Sequence, residues 1–264
     1  MLEHKDLKDL LVGLNEPQQQ AVTTTEGPVL ILAGPGSGKT RVITHRIAYL
    51  AQHKHVSPWR ILAVTFTNKA AREMRERLEK LVGVNAAREM TIGTFHAVCV
   101  RVLRTEADSL APIGLNKSFV ILDTDDQGSL VKQAVRALNL DEKLYRPVAM
   151  QGAISRAKSA MLSPDQAAEQ ARKYVEEVAA RVYKQYQKLL RANNSVDFDD
   201  LLMLTEQLWR RDPEILQRYQ KRWHYIHVDE FQDCNLPQYK LIRLLGYGTA
   251  DRHEGLGNVC VVGD

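Results

Sequence analysis

A glycine-rich loop that ends in lysine and threonine is the part of this sequence most directly suited to chemistry. The loop follows an apolar run at residues 29–32 and precedes a helical pattern over residues 41–50. Backbone N–H groups in such a loop point at phosphates, and the helix dipole favours their negative charge. We therefore predict a nucleoside-triphosphate site in which Lys39 reaches the β- and γ-phosphates and Thr40 binds Mg²⁺. The predicted loop residues are Ala33, Gly34, Pro35, Gly36, Ser37, Gly38, Lys39 and Thr40.

The first position of this loop departs from the general pattern, which has glycine where this chain has Ala33. A flexible loop that happens to contain a lysine is therefore the structural alternative. A strand before the loop, a helix after it and the Gly-Lys-Thr sequence together favour the phosphate site.

Two adjacent acids, Asp229 and Glu230, follow a second apolar run at residues 225–228. Asp229 can hold Mg²⁺ through its hydration shell, and Glu230 can polarise the water that attacks a γ-phosphate. An acidic turn that only closes a strand is the alternative. Together with the phosphate loop, the two acids predict a hydrolase rather than a nucleotide sensor.

Composition excludes several other classes of protein. The 264 residues are 44% hydrophobic and 26% charged, which is ordinary for a soluble globular chain, and the net charge of +4 does not by itself indicate nucleic-acid binding. The three cysteines lack disulfide or zinc spacing, so we predict no metal other than Mg²⁺. No apolar run approaches the roughly 20 residues of a membrane span, and we expect a cytoplasmic protein without membrane contact.

Short apolar runs alternate with helical patterns, which predicts an α/β fold with a parallel sheet flanked by helices. Ligands of such sheets bind beyond the carboxyl ends of the strands, where the loop and the acids both lie on this interpretation. The predicted strands cover residues 29–32, 61–66, 91–94, 226–229 and 259–262.

Residues between 96 and about 209 have mostly helical spacing, and Asp212 with Pro213 predicts a new helix start. We therefore predict a helical domain at 96–212, inserted between the two parts of a sheet domain at 1–95 and 213–264. The glycine-rich segment 246–258 is predicted to be a loop of unknown role. Because the sequence stops directly after a predicted strand, we expect a fragment of a longer protein.

Taken in order, these segments resemble the motifs of the UvrD/PcrA/Rep-like helicases of superfamily 1, over nearly the whole chain. Alanine at the first loop position is common in that family. The resemblance implies a RecA-like P-loop NTPase sheet with an inserted, mostly helical domain. Besides the phosphate loop, the matching segments are residues 14–22, 63–71, 91–96, 196–202 and 228–233.

The resemblance also implies the partners of the site. ATP is the expected nucleotide, because the amide of Gln18 can accept from adenine N6 and donate to adenine N7. Arg41 is expected near the same base, and Gln232 is expected to couple the nucleotide and DNA sites. Stacking of a base on the ring of Phe66 would give a sequence-tolerant grip on single strands. The expected DNA contacts are Thr65, Phe66, Asn68, Thr94, Phe95 and His96.

The function implied is an ATP-dependent 3′–5′ helicase that acts on single-stranded DNA and single-strand/double-strand junctions in repair or replication. A subunit of a helicase–nuclease and a nucleotide-gated DNA-binding module without turnover are the alternatives. The resemblance further implies that this chain alone hydrolyses ATP slowly, because a second motor domain supplies arginines to the γ-phosphate. Sequence indicates neither protein partners nor oligomeric state.

Overall fold

Five of the strands form one parallel sheet. The computed structural model describes residues 10–248 and 257–264. Its strands are β1 Val29–Leu32, β2 Ile61–Thr65, β3 Thr91–Thr94, β4 Val120–Ile121, β5 Ser195–Val196, β6 Tyr225–Val228 and β7 Asn258–Gly263. The sheet order is β1-β7-β6-β2-β3, and each neighbouring pair is parallel. The predicted α/β class with a parallel sheet is confirmed.

The register of the sheet brings the carboxyl ends of its strands to one edge. Val228 at the end of β6 pairs with Val64 of β2 and with Val261 of β7. Predicted strands at 29–32 and 91–94 are confirmed, while the other three differ by one residue at one or both ends. The segments after β1, β2, β6 and β7 therefore meet at the same edge of the sheet.

The chain divides into two compact units. The first, the sheet unit, comprises the chain up to Val98, the segment Trp209–Cys234 and the chain from Tyr239 onward. The second, the helical unit, comprises Cys99–Leu208 with Asn235–Gln238. The nearest boundaries of these units lie a few residues from the predicted ones at 95/96 and 212/213, which stay predictions.

Helices of the sheet unit bury their apolar faces against the strands. In helix Lys39–Gln52, Ile43, Ile47 and Leu50 are fully buried at the spacing of one helical face. The other helices of this unit are Glu16–Thr23, Asn68–Val82, Val84–Glu89 and Pro213–Arg222, with 3₁₀ turns at Pro58–Arg60 and Phe231–Asp233. Three more helices each contain a unit boundary: Phe95–Thr105, Phe198–Arg211 and Leu236–Tyr247.

The helical unit has its own core and a small parallel pair of strands, β4 and β5. Val131, Val178 and Val182 are completely buried in this core, whereas Val175, on the same helical repeat, is half exposed. Its helices are Ala107–Leu110, Thr124–Ala137, Pro147–Ser159, Pro164–Glu169 and Tyr174–Ala192, with a 3₁₀ turn at Ala111–Ile113. Among the helices described in either unit, none is long and apolar enough to cross a membrane.

A buried ion cluster, called here the closed cluster, lies inside the helical unit. The Lys158 ammonium contacts Asp197 Oδ2 at 2.6 Å and Asp200 Oδ1 at 2.8 Å. Tyr186 donates to Asp197 Oδ2 at 2.9 Å, and Asp200 N donates to Asp197 Oδ1 at 2.8 Å, which fixes the start of helix Phe198–Arg211. Although burial opposes the charged form, the two carboxylates raise the pKa of Lys158. The predicted motif at 196–202 therefore has a structural role in this unit.

The predicted loop at 246–258 is wrong at both ends. Helix Leu236–Tyr247 continues through Gly246, and β7 already begins at Asn258. A Cβ atom at Gly246 would lie 2.5 Å from Val259 Cγ2, so glycine permits the close packing of this helix on β7. Residues 249–256 of the predicted loop lie outside the described residues.

Candidate active site

The glycine-rich loop connects β1 to helix Lys39–Gln52 at the carboxyl edge of the sheet. Ala33 N donates to Gly263 O at 3.0 Å, which ties the start of the loop to β7. Gly36 and Gly38 have φ angles of 76° and 83°, a left-handed conformation that glycine adopts without strain. The first N–H groups of the helix have no acceptor within it and can bind an anion. Gly34, Pro35, Gly36 and Ser37 are exposed.

The lysine and threonine of the loop meet the two acids that follow β6. Thr40 Oγ1 donates to Asp229 Oδ2 at 3.1 Å, although the residues are 189 positions apart. Lys39 Nζ lies 3.6 Å from Glu230 Oε2. The structure therefore brings Lys39, Thr40, Asp229 and Glu230 together on one side of the sheet.

The backbone holds the two acids in fixed positions. Asp229 N donates to Val64 O at 3.1 Å, which extends the pairing of β6 with β2 by one residue. Glu230 has a φ of 51°, unusual for a residue with a side chain, and its N–H donates to Asp229 Oδ1 at 3.1 Å. Burial raises the pKa of the Asp229 carboxyl, against the hydrogen bond from Thr40. A buried acid of this kind gains from a nearby cation.

Gln18 contacts the glycine-rich loop directly. Its Oε1 accepts from Asn15 N at 3.0 Å in a capping box, and its Nε2 donates to Ser37 O at 2.9 Å. Arg41 is exposed, and its Nη2 donates to Val12 O at 3.2 Å. Gln18 therefore lies beside the loop, and the predicted contacts of Gln18 and Arg41 with a base stay predictions.

A ring of polar contacts closes through Lys39, Glu230, Gln232 and Asp264, and is called here the open ring. Lys39 Nζ contacts Asp264 Oδ1 as well as Glu230. Gln232 Nε2 donates to Glu230 Oε2 at 2.7 Å, while Asp264 N donates to Gln232 Oε1 at 3.3 Å. The hydrogen bond with Asp264 raises the pKa of Lys39, so its ammonium is charged. The ring joins the loops that follow β1, β6 and β7.

The predicted DNA-contacting residues cluster at the ends of β2 and β3 but differ in exposure. Thr65 pairs with Thr94 in the sheet, and the rings of Phe66 and Phe95 are 5.7 Å apart. Thr65, Thr94 and Phe95 are buried, at 1%, 9% and 5% exposure. Phe66 and His96 are partly exposed and Asn68 is exposed. A nucleic acid at this edge would therefore meet Phe66, Asn68 and His96 first.

Comparison with protein families agrees with the arrangement of these segments. The family described as "UvrD/REP helicase N-terminal domain" matches residues 14–264. The chain belongs to this family. Its glycine-rich loop, its two acids and its RecA-like sheet are thus parts of a UvrD/REP helicase N-terminal domain.

Several curated relatives are similar to this chain. An ATP-dependent DNA helicase PcrA of Bacillus subtilis (strain 168) is 52% identical over 255 residues, which is 97% of this chain. Proteins of the same name from Leuconostoc citreum and Staphylococcus aureus (strain COL) are 50% and 49% identical, over 98% and 97% of the chain. The chain spans about a third of the length of these relatives (33% in each case).

Asp264 is the member of the open ring that sequence reasoning missed. The available signal was its position directly after β7, a predicted strand at the carboxyl edge where Lys39 and Glu230 were already expected. Its pairing with Lys39 depends on the placement of β7 between β1 and β6. Strand order of this kind cannot be deduced from a single sequence.

Proposed function

We propose that this chain binds ATP with Mg²⁺ and hydrolyses it as the nucleotide-binding part of a 3′–5′ DNA helicase that moves along single-stranded DNA. The observation that carries the proposal is the meeting of Lys39 and Thr40 with Asp229 and Glu230. Family membership supports it, since the relatives are named ATP-dependent DNA helicases. We place the protein in repair or replication, with junctions of single and double strands as substrates.

Each residue of the site has a definite task in this proposal. The ammonium of Lys39 binds the β- and γ-phosphates and stabilises the charge that develops during transfer. Glu230 orients and polarises the attacking water, and Gln18 and Arg41 contact the adenine. Gln232, whose amide binds Glu230, passes the state of the nucleotide toward the DNA face.

The residues present fit a magnesium ion. Thr40 Oγ1 and Asp229 Oδ2 are 3.1 Å apart, and both are oxygen ligands of the kind that Mg²⁺ prefers. Few protein ligands are needed, because Mg²⁺ usually retains water and binds phosphate oxygens. The ion would be held by Thr40 and Asp229 and would neutralise charge on the phosphates.

We assign the inserted helical domain to residues 96–212 and the sheet domain to 1–95 and 213–264. Within the sheet unit, which extends to Val98, the DNA face consists of Phe66, Asn68 and His96. Thr65, Thr94 and Phe95 support it from below, because they are buried beside the exposed groups. Thr94 Oγ1 accepts from Ala97 N at 3.3 Å, in keeping with this supporting role.

Replacement of the loop lysine tests the nucleotide assignment. Lys39→Ala should lower the rate of ATP hydrolysis about 10²–10³-fold, because a charge-stabilising group is lost from the reaction. Steady-state hydrolysis with and without single-stranded DNA measures the change, and ATP binding gives a second readout if the parent turns over slowly. Lys80→Ala, at an exposed lysine of helix Asn68–Val82, is the control and should behave as the parent. Equal activity of Lys39→Ala and the parent would refute the assignment of this loop to phosphate binding.

Glu230→Gln then separates a hydrolase from a binding module without turnover. The amide keeps the size of the side chain but cannot accept a proton from the attacking water. Loss of hydrolysis with ATP binding retained supports the hydrolase. Unchanged hydrolysis in this variant would contradict the proposed role of Glu230 in orienting the attacking water.

Substitution of Phe66 tests the DNA face. Phe66→Leu keeps an apolar side chain but removes the aromatic ring, and single-stranded DNA affinity should fall by about 1–3 kcal/mol. Phe66→Tyr retains the ring and should bind within about threefold of the parent. Fluorescence anisotropy with a labelled oligonucleotide measures both. Equal affinity of the leucine variant and the parent would remove Phe66 from the interface.

A further inference from the structure

The open ring gives the phosphate-loop lysine two carboxylate partners. Lys39 Nζ contacts Asp264 Oδ1, and Glu230 Oε2 lies 3.6 Å away. The Lys39 side chain is only 10% exposed, whereas those of Glu230 and Asp264 are 42% and 46% exposed. The carboxylates can thus turn into solvent more easily than the lysine can leave its place.

A triphosphate and Asp264 compete for the same ammonium. The ammonium of a lysine has three N–H donors and can contact two negative groups at once. A carboxylate and a phosphate that both contact it nevertheless repel each other. ATP brings its charge to the position of Lys39, where Asp264 already supplies a carboxylate. Binding of the γ-phosphate therefore favours withdrawal of Asp264.

The ring also links Asp264 to the second acid. Asp264 N and Glu230 Oε2 bind the two ends of the Gln232 amide. A Cβ atom at Gly263 would lie 2.7 Å from Gln232 Oε1 and 3.3 Å from Gln232 N, so glycine in that place permits the approach of Gln232 to the end of β7. A displacement of the Asp264 backbone thus reaches Glu230 through the side chain of Gln232.

We propose that Asp264 is an internal counter-ion of Lys39 that the γ-phosphate of ATP displaces, and that the exchange frees Gln232 and Glu230 to take their positions for hydrolysis. The inference rests on the proposed function, because it assumes that Lys39 binds the phosphates. Asp264 is a positioning residue in this scheme and does not touch the reacting atoms. It sets how strongly the site favours a triphosphate over a nucleotide without a γ-phosphate.

Nucleotide titrations of an Asp264 variant test the competition. Asp264→Asn removes the charge but keeps the shape, and should bind ATP about five- to tenfold more tightly than the parent. ADP, which lacks only the γ-phosphate, should show less than half of this gain. AMP, which lacks both phosphates that Lys39 binds, should show no change. Asp264→Glu restores a carboxylate and should return ATP affinity toward that of the parent.

Combination with Lys39→Ala separates the possible failures. The effect of Asp264→Asn on ATP binding should fall to less than half in the Lys39→Ala background, because the competition runs through the ammonium. Parent-like or weaker ATP binding by Asp264→Asn, or an equal gain for AMP, overturns the counter-ion role. If Lys39→Ala alone leaves ATP affinity unchanged, the proposed function itself fails. Gln232→Ala, which opens the ring elsewhere, should also bind ATP more tightly, and weaker binding counts against the linkage.

Discussion

Each unit of this protein holds a lysine between two carboxylates, but the two lysines lie in opposite surroundings. In the open ring, Lys39 faces Glu230 and Asp264, whose side chains are 42% and 46% exposed. In the closed cluster, Lys158 is fully buried and its two carboxylate partners are 3–4% exposed. A lysine with two carboxylate partners can therefore form a ligand-accessible cluster in one unit and a permanent part of the core in the other.

The difference lies in what satisfies the charges. The closed cluster adds Tyr186 and Gln187 as hydrogen-bond donors, and Arg191 as a more distant cation 3.8 Å from Asp200. Buried ions need such complete pairing, because removal from water is expensive. The open ring leaves its carboxylates partly in water, so its contacts can be exchanged at low cost. The proposed nucleotide site is therefore distinguished by carboxylates that lack a full set of partners and lie partly in water, rather than by the presence of ions.

The largest expected effect comes from removing the buried lysine. Lys158→Met should lower the free energy of unfolding by about 3–5 kcal/mol, because two carboxylates stay buried without their cation. Lys39→Met is the matched control and should change it by less than about 0.5 kcal/mol. Urea denaturation followed by circular dichroism measures both. Similar losses of unfolding free energy in the two variants would contradict the proposed difference between the closed cluster and the open ring.

A smaller effect should come from salt. Raising the ionic strength from about 0.1 M to about 1 M shortens the Debye length from about 10 Å to about 3 Å. The difference in ATP affinity between Asp264→Asn and the parent should then shrink by about half or more, because the open ring is accessible to ions. The destabilisation by Lys158→Met should change by less than about 0.5 kcal/mol. Equal salt sensitivity of the two effects would contradict the comparison.

The sheet and the loop site could be predicted because their signals are local. Apolar runs locate the strands to within two residues, and the Gly-Lys-Thr sequence locates the phosphate loop. Since parallel strands deliver their following loops to one edge, the meeting of Thr40 with Asp229 could be expected before any coordinates. The start of helix Pro213–Arg222 could be predicted too, as Asp212 accepts from Glu214 N and Ile215 N.

Features that depend on distant packing could not be predicted. Lysine is a residue type usually found at the surface, and the partners of Lys158, Asp197 and Asp200, lie about 40 positions away in the sequence (39 and 42). The two-residue strands β4 and β5 are too short to carry an alternating pattern. Glycine is typical of loops in sequence, but Gly246 lies within helix Leu236–Tyr247, where the absence of a side chain permits close packing on Val259. Tertiary packing overrides local preference at each of these positions.

One backbone contact joins the proposed nucleotide site to the proposed DNA face. The N–H of Asp229 is bonded to the carbonyl of Val64, and the chain needs only two further residues to reach the ring of Phe66. Neighbouring strands in a sheet cannot slide past each other without breaking their ladder. A displacement of Asp229, the acid proposed to hold magnesium, would thus be imposed on the segment proposed to contact DNA. The proposed coupling of ATP hydrolysis to movement would then require no long relay of side chains.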